Sequence, residues 1–300
     1  LRADKLRNVL NAGANDVTAN VTWTNEAQAF AESQTTAGEP YVPVIISSDP
    51  RSTAAMDSAY NAEGADISRW PSNIGLAATF SRKAMLDFAR TSSAEYRAMG
   101  ITTALGPQID LATEPRWLRV DGTFGENARL ASTMAKAYVE GSQNTYDTRG
   151  RSTGWGSYSI STMIKHFPGD GPGEGGRESH LNAGKYAVYP GGNHREHLKP
   201  FTAAKDAVAM MSSYSIAIAK DGSPLTGNRV GSAYDPVKIG WARDAGYDGV
   251  ICTDWGVTTG YTDANSPFGM AWGMETATVE ERHYAVLRSG VDMFGGNNRT

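Results

Sequence analysis

Residues 250–253 (Val-Ile-Cys-Thr) form a run of apolar and β-branched side chains, and Asp254, Trp255 and Gly256 follow at once. A short run of this kind reads as a strand buried on both faces. Asp and Gly are poor strand formers, so the strand ends there. A carboxylate at the C-terminal tip of a buried parallel strand is where an α/β barrel carries its chemistry. Taken alone, Asp254 serves equally well as the cap of a following helix.

The rest of the chain repeats the pattern. Strand-like runs fall at 7–10, 42–48, 101–105, 159–167, 208–214, 250–253 and 291–294. Helical runs fall at 26–34, 81–99, 127–146, 198–207, within 233–245, and at 278–289. Regular alternation of this kind predicts parallel βα units. The expected fold class is α/β, a (β/α)8-type TIM barrel, incomplete or irregular, as one domain over residues 1–300, a length that suits such a barrel. The longest stretch without a predicted element is 168–193, which is rich in glycine, and loops of that length are usually functional.

Composition narrows the partners. Net charge is −4, and no basic patch marks the chain for nucleic acid. No apolar run is long enough to cross a membrane. Cys252 is the single cysteine, so no internal disulfide forms. No signal peptide stands at Leu1, and the charged start is expected to reflect processing or truncation. Asn20-Val21-Thr22 and Asn298-Arg299-Thr300 match the glycosylation acceptor pattern, which is common by chance.

The predicted strands finish in Asp49, Asp110, Lys165 with His166, Tyr214, and Asp254 with Trp255. In a parallel barrel these ends share one face. Acids, bases and a phenol that converge there suit the hydroxyls of a sugar, and an indole suits the apolar face of its ring. Each residue taken singly has a plainer role as cap, ion pair or core, but that reading weakens for five or six together at strand ends.

Four stretches carry a resemblance. They are ISSDPR (46–51), DLATEPRWLRVDGTFGEN (110–127), KHFPGDGPGEGGRESH (165–180) and GVICTDWG (249–256), supported by MMSSY (210–214) and GVDMFGG around Val291. In this order they resemble the N-terminal barrel domain of glycoside hydrolase family 3, the β-glucosidase and exo-β-glycosidase family. The resemblance implies a barrel that acts on a terminal β-linked sugar by a retaining double displacement and needs no cofactor or metal. It implies Asp254 as nucleophile. Asp49, Arg119, Lys165, His166 and Tyr214 would bind sugar, with Trp255 shaping the pocket and Lys165 and Arg119 keeping Asp254 ionised. Retention needs a second carboxyl group or its equivalent. The family implies a Glu from a following α/β domain, absent from this chain, that completes the site. In an N-acetylglucosaminidase branch a His with a neighbouring acid does the work, and Glu178 and His180 stand in that place here. A secreted or periplasmic address is a further implication of the resemblance.

Other readings compete. Residues 171–176 match GxGxxG, yet Pro172 removes an amide donor, Glu174 opposes a phosphate and no helix-forming run follows. Four of the five histidines (His166, His180, His194, His197) cluster in sequence, which raises a metal-dependent barrel hydrolase; but no His-x-His pair sits on a strand end, and His194 and His197 read as surface residues. A sugar-binding barrel without turnover is the third class.

Overall fold

The computed structural model describes residues 6–12, 16–36, 38, 40–53, 66–259 and 270–297. The strands, in chain order, are β1 (Asn8–Leu10), β2 (Ile45–Ser48), β3 (Thr103–Ala104), β4 (Thr145–Tyr146), β5 (Ser152–Gly154), β6 (Ser161–Phe167), β7 (Tyr186–Val188), β8 (Ala209–Ser212), β9 (Ile216–Ile218) and β10 (Val250–Cys252). The helices are α1 (Val17–Ser33), α2 (Asn73–Ala77), α3 (Arg82–Ala98), α4 (Ala128–Gln143), α5 (His194–Ala203), α6 (Pro236–Asp244) and α7 (Val279–Ser289).

Six of the strands form one sheet in the order β1-β2-β3-β6-β8-β10, and every pair in it is parallel. β6 shows why. From Thr162 to Phe167 every residue is buried, which demands cover on both faces: helices cover the outer one, and inside Met163 packs with Leu105, Ala209, Met211 and Cys252. Ile164, Met210 and Ile251 on adjacent strands join Phe167, Phe201 and Met134 in the main core. Helices α3 and α4 approach so closely that a Cβ on Gly141 would lie 2.7 Å from Ala89 Cβ. The curled sheet with its helices is an incomplete (β/α) barrel.

The helix starts gather at the ends where the strands finish. Ser81, Asn127, Asp235 and Thr278 each cap a helix with a side-chain oxygen, which satisfies otherwise orphaned amides. Asp254 does not have that role.

Several boundaries differ from the sequence reading. α1 begins at Val17, not 26, because the positions its first half buries, Asn20 and Thr24, are polar and leave no apolar face to read, while Asp16 still accepts from Ala19 N at 2.7 Å. Within it Asn20 is buried, and its side chain donates to Asp16 O and accepts from Asn11 Nδ2 at 2.8 Å. A committed amide of this kind does not suit a glycosylation acceptor; Asn298 lies outside the described residues. The expected strand at 291–294 is reduced to a parallel bridge between Met293 and Cys252. The 168–193 segment is not irregular throughout: it holds β7, which pairs in parallel with β9 as a second small sheet. Its glycines serve close packing, since a Cβ on Gly171 would sit 1.8 Å from Leu111 O.

His194 and His197 lie on α5, and His197 is a core residue at 1% exposure, not a surface one. The helix period turns it inward against Tyr189, with ring centroids 5.1 Å apart. Neither ring nitrogen has a hydrogen-bond partner among the described residues. Burial lowers its pKa from 6.5 to about 4. The unfolded chain therefore binds more protons between these values, so this group's stabilisation is present above pH 6.5 and lost as pH falls to about 4. At 1.36 kcal/mol per pH unit the loss is on the order of 3 kcal/mol. Urea unfolding at pH 7 and pH 4.5 should show a smaller fall in stability for His197→Gln than for the parent; equal falls would exclude a buried neutral imidazole.

Candidate active site

Five strand ends bring their residues together. β10 delivers Asp254 just past its last paired residue. Thr253 N donates to Met293 O at 2.9 Å, and Gly295 N donates to Thr253 Oγ1 at 2.8 Å, which ties the turn to the chain at 293–295. Trp255 packs on that chain so closely that a Cβ on Gly296 would lie 2.4 Å from Trp255 Cδ1. The paired glycines at 295 and 296 are thus what lets the indole lie flat against the backbone.

Asp254 is 6% exposed. Its Oδ1 accepts from Tyr214 Oη at 2.9 Å and from Trp255 N at 2.6 Å. Tyr214 Oη also lies 2.6 Å from Trp255 O. Its single hydrogen serves one of these two oxygens at a time. Oδ2 has no hydrogen-bond partner among the described residues; His166 Nε2 lies 3.7 Å from it. One oxygen of the carboxyl group is thus anchored and the other is held only by its surroundings.

His166 comes from the end of β6 and is 1% exposed. Its Nδ1 lies 2.9 Å from Asp110 Oδ2. Burial raises the Asp110 pKa, but His166, the Asp170 backbone N–H and Arg119 together pull it below the usual carboxylate value. Asp110 therefore accepts, and Nδ1 carries the hydrogen. Burial, then Arg119, lowers the His166 pKa, so the ring is neutral. Its Nε2 then has a lone pair for Arg119 Nη2 at 3.1 Å. Lys165, its neighbour on the strand, points to Asp49 instead, with Nζ to Oδ1 at 2.9 Å. Asp49 keeps 30% of its side chain exposed, so the pair faces the mouth. A small cavity of ≈40 Å³ opens beside Pro50 and Arg51, bordered by Gln108, Arg119 and Lys165; Asp254 does not border it.

Arg119 sits between these groups and the glycine-rich loop. Its Nη1 is 3.8 Å from Glu178 Oε1. Glu178 also accepts from Trp117 Nε1 at 2.8 Å and from His180 Nδ1 at 2.6 Å. The His180 ring packs edge-on against Tyr214, centroids 4.7 Å apart, which places the loop over the phenol that holds Asp254. All nine residues expected at the site are thus gathered at one mouth of the sheet. Lys165, expected to help keep Asp254 ionised, instead pairs with Asp49, and among the described contacts none joins it to Asp254. Trp117 and Asp170 belong to the same assembly and were given no site role from sequence, and Asp110, read there as one of the strand-end acids, holds the His166 ring. Among the described residues no group of three or more His, Cys, Asp or Glu is placed to hold a metal ion.

The family model for the glycosyl hydrolase family 3 N terminal domain matches residues 4–296. The chain belongs to that family. "Probable beta-glucosidase C" of Aspergillus oryzae is 37% identical over 270 residues, covering 86% of this chain and 39% of that protein. "Periplasmic beta-glucosidase/beta-xylosidase" of Dickeya chrysanthemi is 38% identical over 271 residues, covering 85% and 40%. This family 3 chain spans about two fifths of the length of these curated relatives. Among solved structures, a family 3 β-N-acetylglucosaminidase from Paenibacillus sp. superposes with TM-score 0.73 at 19% identity, over 98% of this chain and 49% of that one. A β-glucosidase from Listeria innocua, solved with isofagomine, gives 0.68 at 20%, over 97% and 34%. These two likenesses show the fold.

In this family 3 chain the electrostatics centre on Arg119 and Glu178. Burial would lower the Arg119 pKa, but Glu178, Asp254, Asp110 and Asp170 outweigh it and raise it. Burial would raise Glu178, but His180, Arg119 and Trp117 hold it down at about 2. Removing one partner of a buried ion pair costs far more than the pair's net worth. Glu178→Ala leaves Trp117 Nε1 without its acceptor and Arg119 without its nearest loop carboxylate, so it should destabilise the fold by about 3 kcal/mol. Chemical denaturation checks this, and a loss under about 1 kcal/mol would contradict the arrangement.

Proposed function

We propose that this chain forms the nucleophile-bearing part of a retaining β-glycosidase that releases a terminal β-linked glucose or a closely related sugar. The observation that carries this reading is the asymmetry of Asp254: Oδ1 is fixed by Tyr214 and the Trp255 amide, while Oδ2 has no hydrogen-bond partner among the described residues. Membership in a glycoside hydrolase family and relatives named β-glucosidase support the substrate class.

In the first step Asp254 Oδ2 bonds to the anomeric carbon as the bond to the leaving-group oxygen breaks, and that oxygen takes a proton. In the second step water replaces Oδ2 at the same carbon with net retention. Lys165 and Arg119 are N–H donors that suit sugar hydroxyls, and Asp49 is an acceptor beside them. The neutral His166 ring, fixed by Asp110, presents Nε2 next to Arg119 and Asp254 and orients both. Trp255, next to Asp254, would shape the same pocket.

Within this chain the group best placed for the proton transfers is His180. Its Nδ1 is bound to the buried Glu178 carboxylate, which fixes the tautomer and orients the ring, a base with its own orienting acid. A carboxyl group from a following domain is the alternative source.

Two measurements test the reading. A 2-deoxy-2-fluoro-β-glucoside should label Asp254, found by peptide mass mapping, and Asp254→Ala should lower kcat by about 10³-fold or more with the fold intact; label on another residue overturns the assignment. In the full-length protein, His180→Gln should slow glycosides with poor leaving groups far more than activated aryl glycosides. A uniform effect would transfer the acid/base role to another group, and binding of the sugar without any turnover would make the chain a sugar-binding barrel.

A further inference from the structure

One buried carboxyl group in the assembly takes no part in these steps. Asp170 is 2% exposed and lies at the start of the glycine-rich loop. Its backbone N–H donates to Asp110 Oδ1 at 2.7 Å. Its own Oδ1 lies 2.6 Å from Ser215 Oγ, just before β9, and its Oδ2 lies 3.0 Å from Ser179 Oγ. Asp170 thus joins the strand-end acid that holds His166 to the loop residue between Glu178 and His180. Ser179 is itself 3% exposed, and its carbonyl accepts from Trp272 Nε1 at 2.8 Å, so its backbone is fixed.

Counting hydrogens shows what this link does. The Ser179 hydroxyl lies 3.0 Å from Asp170 Oδ2 and 3.4 Å from Glu178 Oε1, the oxygen that takes His180 Nδ1. A hydroxyl has one hydrogen and can donate to only one of them. If Asp170 is ionised, that hydrogen is drawn to Asp170. If Asp170 carries a proton, it donates that proton to Ser179 Oγ, and the Ser179 hydrogen turns to Glu178.

We propose that Asp170 is a positioning residue that works in its protonated form: it fixes the loop through Ser179 and directs the Ser179 hydroxyl to Glu178, and so sets the orientation and basicity of His180. The inference rests on the reading of His180 as the proton-transfer group. The surroundings favour the neutral form. Asp110 and Glu178 face Asp170 as acids, and Tyr189 and Tyr214 as phenols. Arg119 opposes them, while Lys238 of α6 lies beyond Ser215, whose carbonyl it binds at 3.1 Å. Burial first, then Asp110, raises the Asp170 pKa to about 8, so the group is neutral below that pH and charged above it.

The test uses the full-length enzyme with an aryl β-glucoside, and NMR titration of the His180 ring, which needs no turnover. Asp170→Asn reproduces the protonated group, one donor to Ser179 and one acceptor for Ser215. It should keep kcat within about 3-fold of the parent while its activity no longer declines as pH rises through 8. Asp170→Ala should lower kcat by about 10- to 100-fold with little change in KM, and should move the His180 titration. Ser179→Ala should move that titration in the same direction, and it replaces Asp170→Ala if the latter does not fold. The proposal is overturned if Asp170→Asn is as impaired as Asp170→Ala, or if His180 titrates as in the parent in both Asp170→Ala and Ser179→Ala. A His180→Gln enzyme with parental turnover of poor leaving groups would instead remove the acid/base reading, and the NMR titration would still decide the Asp170 link.

Discussion

One buried guanidinium holds this mouth of the sheet together. Arg119 is 4% exposed and faces the carboxyl groups of Glu178, Asp254, Asp110 and Asp170. Several acids crowded out of water repel one another and lose hydration, so such a cluster survives only with cations, donated hydrogens or retained protons. Each device is present. Arg119 supplies charge, and its fixed fork of donors reaches both His166 Nε2 and the Glu178 side. Backbone and ring N–H groups supply hydrogens to Asp110. Asp170, last in the row and flanked by acids, keeps its proton up to about 8.

The consequence is a division of labour among similar groups. Glu178 is held ionised at about 2 and Asp170 is held neutral, although they lie on one loop, bridged by the Ser179 hydroxyl. The difference comes from what each faces: Glu178 meets His180, Arg119 and Trp117, whereas Asp170 meets Asp110 and two serine hydroxyls. Environment, not residue type, assigns acid and base roles in such sites. Asp254 stands apart from both, with one oxygen anchored by Tyr214 and the Trp255 amide and the other buried without a hydrogen-bond partner among the described residues.

Much of the fold was legible in the sequence because parallel strands buried on both faces leave dense apolar runs. The segments at 159–167 and 250–253 could hardly be anything else. The start of α1 was missed because its first half presents Asn20, Thr22 and Thr24, with no apolar stripe to follow. The burial of His197 was missed because a glycine- and asparagine-flanked stretch reads as a turn, and only the packing of α5 against Tyr189 turns that ring inward. Asp170 gave no signal, since an acid between two glycines looks like any loop acid until Asp110, Ser179 and Ser215 are seen around it.

The sequence by itself determined the alternation of strands and helices, the polar residue at each strand tip, and the order of motifs that places the chain in its family. Those follow from local rules: side-chain periodicity, turn residues and the end of each apolar run. Only the tertiary structure decided which tips touch. Lys165 and His166 are neighbours in the chain, yet one pairs with Asp49 and the other with Asp110 and Arg119. Protonation followed the same rule, because the field at a buried carboxyl group is the sum of charges brought from segments far apart in the chain, and no stretch of sequence contains that sum.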